Sequence, residues 1–129
     1  MCFDSAGGAA PTESELMFFD GFPTLLDDYA LLLCRLRERH PDVCAAVSKT
    51  QISLRNRRVF AVVSLPNGKL HNRERLLLSI GLPYRPTSPR VLAATEPYPK
   101  RWTNHVLLDA LDGELLGWLE EAYQFAMHK

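Results

Sequence analysis

Arginine, tyrosine, tryptophan and histidine crowd into one short stretch, LPYRPTSPRVLAATEPYPKRWTNHV, residues 82–106. It holds Arg85, Arg90, Lys100 and Arg101, with Tyr84, Tyr98, Trp102 and His105, among five prolines. A guanidinium is a planar fork of donors that matches phosphate or carboxylate. A flat aromatic face stacks on a base or a sugar. Prolines restrict the free chain, so ordering such a segment loses less entropy. These residue types suit an anion-binding site. The competing reading makes the aromatics anchors that hold a long crossing on a sheet, a role that suits Trp102.

A second constellation lies upstream, in KTQIS. Lys49, Gln51 and Ser53 alternate with Thr50 and Ile52, so on a strand they share one face. On a face open to solvent they would be ordinary; beside the loop cations they would add donors to a site. Glu96 and His105 form the one acid–imidazole combination in this region, and together could act as a general base. They could equally be a salt bridge of the loop. No phosphate-binding glycine loop, dinucleotide fingerprint or nucleophile elbow occurs. Carboxylates are too sparse among the expected strands for a two-carboxylate hydrolase. His40 and Cys44 stand four apart, but no further ligand lies at zinc spacing. Neither a metal nor a cofactor is expected.

The chain has no net charge, which argues against binding nucleic acid over its whole surface. The charge is nevertheless segregated. Residues 49–105 carry eleven Lys and Arg against Glu74 and Glu96, a net +9; the rest carry four cations against thirteen acids, a net −9. Either the basic middle meets an anion, or the acidic flanks neutralise it within the fold.

The elements that must position these residues show in the periodicity. Leu25, Tyr29, Leu32, Leu33 and Leu36 recur at helical spacing, which predicts a helix over 24–39 with Thr24 as N-cap and Pro41 as stop. Phe18, Phe19 and Phe22 before it are expected to pin the chain's entry into the core. VCAAV reads as a short strand or, given its alanines, a helical turn. Thr50, Ile52 and Leu54 alternate with polar residues, as on a strand covered on one face. VFAVVSL, LLLSIGL and HVLL read as further strands, and the basic run HNRER follows the turn signal Asn67-Gly68. Asp109 or Asp112 caps a last helix to about Met127, with Leu111, Leu115, Leu119, Ala122 and Ala126 as its inner stripe. The expected fold is α+β: a mainly antiparallel sheet of four to five strands, with an N-terminal and a C-terminal helix packed on one face. Residues 1–15 are expected to be a disordered tail and 16–129 one domain.

The segments KTQISLRNRRVFAVVSL, GLPYR with SPR, EPYPKRWTNHVLL and ELLGWLEEAYQFA together resemble an uncharacterised bacterial domain family. Its members carry a similar K-T-Q-I-S strand and a similar R-W-T-x-H-V approach to a final helix. The resemblance covers about Phe18 to Ala126 and implies a small α+β fold without an assigned activity. Related domains resemble C-terminal attachments of larger proteins, some nuclease-like, which implies a binding role.

The expectation for function is a non-enzymatic cytoplasmic module that binds an anionic ligand, either a phosphate-bearing small molecule or nucleic acid. Its candidate residues are Lys49, Gln51, Ser53, Arg85, Arg90, Arg101 and His105. A small enzyme with His105 as base is the alternative, and a protein-interaction domain or homodimer joining basic to acidic faces is the third reading. No apolar run approaches the roughly 20 residues of a membrane helix, and no secretion signal opens the sequence. The odd number of cysteines, at unpaired spacing, predicts reduced thiols and a cytoplasmic setting.

Overall fold

The computed structural model describes residues 12–20, 22–65, 75–108 and 111–127. Two helices come first, α1 (Glu13–Phe18) and α2 (Pro23–Arg39). Six strands follow: β1 (Cys44–Val47), β2 (Gln51–Arg55), β3 (Val59–Ser64), β4 (Leu77–Leu82), β5 (Val91–Tyr98) and β6 (Arg101–Leu107). Helix α3 (Gly113–Met127) closes the chain. The strands form one sheet in the order β1-β2-β3-β4-β6-β5, and every neighbouring pair is antiparallel. The protein is thus α+β, with helices at both ends and six strands rather than four to five.

The additional strand is β5, which the proline-rich stretch had concealed. Proline lacks a ladder donor, so in a sheet it belongs at an edge or a bulge. Strand β5 is an edge strand, and its register slips between Thr95 and Tyr98, around Pro97. A second slip falls between Val91 and Ala93. Tyr98 pairs with Arg101, which leaves Pro99 and Lys100 as a two-residue turn. Lys100 has φ of 62°, in the left-handed region that favours glycine. The stretch is therefore mostly a β-hairpin, and only its first residues cross from β4 to the sheet edge.

Helix α2 starts one residue before the expected cap. Pro23 occupies the first turn, where its missing N–H leaves no bond unmade, and Phe22 holds the N-cap position without a side-chain bond. Thr24 accordingly lies inside the helix. Residues 12–15, assigned to the tail on sequence, supply the cap and first turn of α1. The Thr12 side chain accepts from Glu15 N, and Glu15 Oε1 accepts from Thr12 N at 2.8 Å. Glu15 is buried and also accepts the Tyr29 hydroxyl proton, which ties α1 to α2. Phe19 packs between Phe18 and Tyr29, with ring centroids 5.0 and 5.2 Å away. Residues 1–11 and 66–74, with the Asn67-Gly68 turn signal and the basic run up to Glu74, lie outside the described residues, as does the expected cap Asp109. Cys34 keeps a free, exposed thiol. Cys44 is disulfide-bonded, which corrects the expectation of reduced thiols there.

One core joins the helices to one side of the sheet. Alternate residues Ile52 and Leu54 of β2, Val63 of β3, Leu78 and Ile80 of β4 and Val106 of β6 are buried in the same cluster as Leu32 and Leu36 of α2 and Leu115 and Leu119 of α3. Their partners in alternation, Gln51, Ser53, Val62, Ser79 and His105, are exposed or half-buried. Ile52 has no exposed surface. Ile52→Ala should leave a cavity and lower the unfolding free energy by about 2–5 kcal/mol. Chemical denaturation showing a loss below about 0.5 kcal/mol, the range of a neutral surface change, would invert this assignment of faces.

Candidate functional site

The polar side of the sheet carries one row of side chains in register. Ala46, Ser53, Val62, Ser79, His105 and Ala93 are successive Cα partners from β1 to β5. Ser79 Oγ and His105 Nδ1 lie 2.9 Å apart and are hydrogen-bonded. Burial lowers the His105 pKa from its usual value, so the neutral imidazole is the favoured form at pH 7. Gln51 sits one row further along the same side, level with Ser64. Lys49 precedes β2 and is exposed. Glu96 does not serve His105. Its carboxylate accepts from Lys100 N at 2.9 Å, at the hairpin turn, whereas His105 lies level with Ala93.

The loop cations separate into different roles. Arg90 Nη1 reaches Asp112 Oδ1 at 2.8 Å and Glu114 Oε1 at 3.3 Å. Burial works against its charge, but the two carboxylates outweigh it and raise its pKa. Asp112 also caps α3 by accepting from Leu115 N at 3.1 Å. That bond and Arg90 together hold its carboxyl below the usual range. Arg90 therefore ties the start of β5 to the start of α3. Arg85 is exposed in the crossing segment. Its neighbour Tyr84 donates its hydroxyl to Glu121, and this bond to a carboxylate pushes the phenol up to about 12. The Tyr84 carbonyl accepts from Asn104 Nδ2 at 3.2 Å. Asn104 is buried, and its Oδ1 has no hydrogen-bond partner.

Arg101 belongs to a third place, where strands part. The ladder between β3 and β4 ends at the Ala61–Ile80 pair. Beside it, the β2–β3 register slips between Leu54 and Arg55, so that Arg55 pairs with Val59. Such a bulge bends its strand and lets consecutive residues serve one side; here Phe60 and Ala61 are both buried. Beyond the last pair opens a hollow of about 220 Å³. The start of β3 lines it with Arg58 and Phe60, and the end of β4 with Gly81. The hairpin contributes Tyr98, Arg101 and Trp102, and the last turn of α3 adds Phe125. No acidic residue lines it. Among the described residues, neither Arg58 nor Arg101 has an acidic partner. The carbonyl end of a helix carries only about half a negative charge, too little to offset two guanidinium groups.

The expected residues thus do not form one site. Gln51, Ser53 and His105 share a sheet face, with Lys49 at its margin. Arg90 is occupied in an ion pair, Arg85 stands on the crossing, and Arg101 borders the hollow. Arg58 and Phe60, which complete the hollow, had read only as turn and strand residues. Among the described residues no three His, Cys, Asp or Glu side chains gather to hold a metal ion. His40 bonds Glu120 at 2.7 Å and stacks on Tyr123, with centroids 3.7 Å apart. No helix among the described residues is long and apolar enough to cross a membrane.

The family model for a domain of unknown function, DUF5655, matches residues 18–126, so the chain belongs to that family. No curated protein and no solved structure matches it.

The half-buried imidazole of His105 sets a pH dependence. In the unfolded chain a histidine takes up its proton near pH 6.5; in the fold His105 does so only at lower pH. Between the two values the unfolded state binds more protons, so stability is full above 6.5 and falls as pH drops through 6.5 towards the folded value. The carboxylates Asp112 and Glu120 are shifted downward, so their contribution is lost only at more acidic pH. Denaturation of the wild type and His105→Gln across pH 7.5 to 5 should show a steeper loss in the wild type. Equal slopes would mean that His105 is as well solvated as in the unfolded chain.

Proposed function

We propose that this DUF5655 domain is a non-enzymatic module that binds an anionic, phosphate-bearing ligand, and that the hollow between β3, the β5–β6 hairpin and α3 is its principal contact. The observation that carries the reading is the pair Arg58 and Arg101, which line one hollow without an acidic partner among the described residues. Guanidinium groups that the fold does not neutralise are free to meet phosphate oxygens bidentately. Arg90 is set aside from the ligand contacts, since Asp112 and Glu114 already occupy it. Arg85, Lys49, Gln51, Ser53 and His105 remain candidate auxiliary contacts for a longer ligand, such as a nucleic-acid strand. The reading keeps a cytoplasmic setting, for which the free thiol of Cys34 speaks and the disulfide at Cys44 does not.

The Ser79–His105 bond favours a second reading, a small hydrolase. The neutral imidazole would take the hydroxyl proton as Ser79 attacks. It ranks lower because among the described residues no carboxylate supports the imidazole. A fluorophosphonate probe that labelled Ser79, and failed to label His105→Gln, would move this reading to first place. The homodimer reading has lost part of its basis, since Arg90 of the basic segment meets acids of its own chain.

Trp102 lines the hollow and reports its occupancy by fluorescence. Titration with inorganic phosphate, pyrophosphate and a single-stranded oligonucleotide at two salt concentrations should show saturable binding that weakens with salt. Arg58→Ala with Arg101→Ala should weaken it by about tenfold or more, equivalent to about 1.4 kcal/mol. Binding unchanged in the double variant would remove the hollow from the site. No binding by the wild type would leave charge neutralisation within the fold as the better account.

A further inference from the structure

We infer that the hollow is built for a nucleotide unit, with an aromatic base seated against its aromatic wall and the phosphate on its two arginines; this rests on the reading of the hollow as an anion site. Three features of the lining narrow the ligand. Charge comes first: two cations and no acid exclude a cationic ligand and favour an anionic one. Apolar content comes second. Phe60, Tyr98, Trp102 and Phe125 line it; Phe60 is 2% exposed and packs on Tyr123, so Tyr98 and Trp102 are the rings a base would meet, and a bare phosphate would leave them unused. Bases stack on aromatic side chains whatever their sequence, because every base has a π face. Tyr98 is 63% exposed, so its ring can meet a ligand without any rearrangement of the core. Polar content comes third. Thr103 is the one uncharged side chain in the lining that carries a hydroxyl besides Tyr98. A free sugar, which needs several donors and acceptors, would find few.

Size sets the upper bound. Sites for drug-sized ligands and cofactors measure about 300–1,000 Å³. At about 220 Å³ the hollow takes one ring system with its phosphate at the rim, not a dinucleotide. Free nucleotides and the end of a single strand share this chemistry. An aryl phosphate such as phosphotyrosine shares part of it, but its phosphate lies directly on the ring. Here Arg58 is exposed and so is Tyr98, at 63%, so phosphate and flat group can be met side by side, as a ligand that keeps the two apart requires.

Gly81 supplies a test independent of the arginines. It lines the hollow, and a Cβ built on it would meet only the Phe60 carbonyl, at an ordinary 3.8 Å. Gly81→Ala should therefore fold normally, and a larger side chain should project into the hollow.

The experiment titrates the full chain with inorganic phosphate, the four nucleoside monophosphates, adenosine, phosphotyrosine and a 5′-phosphorylated oligonucleotide, followed by calorimetry. Nucleoside monophosphates should bind about tenfold or more tightly than phosphate and than adenosine. Trp102→Ala should reduce them to the level of phosphate while phosphate binding persists, and Trp102→Phe should restore them. Arg58→Ala with Arg101→Ala should reduce them to the level of adenosine. Gly81→Leu should weaken nucleotides more than phosphate, with Gly81→Ala as the folded control. A strand that binds more tightly than the free nucleotides would name a strand end as the source of the unit; the reverse would name the free nucleotide. Nucleotides that bind no better than phosphate, with phosphate still dependent on the arginines, would overturn this inference and leave the anion site standing. Phosphotyrosine binding above the nucleotides would overturn it as well. No binding by any probe would end both.

Discussion

Burial of one side of the sheet is the constraint from which the remaining features follow. The residues at alternate positions of β2, β3, β4 and β6 enter the same core as α2 and α3. Period-two geometry then commits the intervening residues to the other side. Ser53, Ser79 and His105 come level with one another because antiparallel register leaves them no other placement. The same geometry makes the strand ends informative. Where the β3–β4 ladder stops at Ala61 and Ile80, the ladder itself no longer holds the strands together. The space there is bounded by the hairpin and by the end of α3. The hollow thus forms where the sheet ends, furnished with side chains from four elements.

Charge distribution follows the same logic. The basic middle and acidic flanks of the chain meet in the fold, but only in places. Arg90 joins the edge strand to the acids at the start of α3, while Arg39 and His40, which belong to the acidic flank, meet Glu120 further along that helix. Among these contacts the Arg90 side chain is 18% accessible, against 72% for Arg39. Exposed ion pairs contribute at most about 1 kcal/mol each, so they orient elements more than they stabilise them. Neutralisation in the fold and binding of an anion are therefore not exclusive. The first uses the cations facing α3's acids, and the second needs those at the opposite end of the hairpin.

Periodicity made much of this architecture legible in the residues alone. The stripe from Leu25 to Leu36 and the alternation around Ile52 and Leu54 correspond to buried faces of α2 and β2. Strand β5 was obscured because Pro97 and Pro99 mark loops in most contexts; the edge position and the bulge that admit Pro97 are properties of the assembled sheet. The spacing of Thr12 and Glu15 did carry a capping signal, hidden by its closeness to a glycine-rich lead. Site residues were less legible for a geometric reason. Ser53 and His105 each alternate with apolar neighbours of their own strand, Ile52 and Val106 among them, so the polar side of each strand could be anticipated. Arg58 and Arg101 are far apart in the chain, and only the end of a ladder and a bulge bring both to one hollow. Arg90 shows the converse: its type suited a ligand, but its acidic partners lie 22 and 24 residues away.

The two slips in β5 bear on how the molecule behaves in a crowd. An outer strand normally presents a straight row of unpaired donors and acceptors, and another chain can use it as a template. Here Pro97 removes one donor, and the slips on either side of Ala93–Thr95 break the row into short lengths. A passing strand could match only a few groups before losing step. At the far margin of the sheet β1 is only four residues long and has α1 in contact with it. One border is protected by irregularity and the other by brevity and a neighbour. The sheet is therefore poorly suited to serve as a repeating unit, and its borders do not invite the stacking of copies edge to edge.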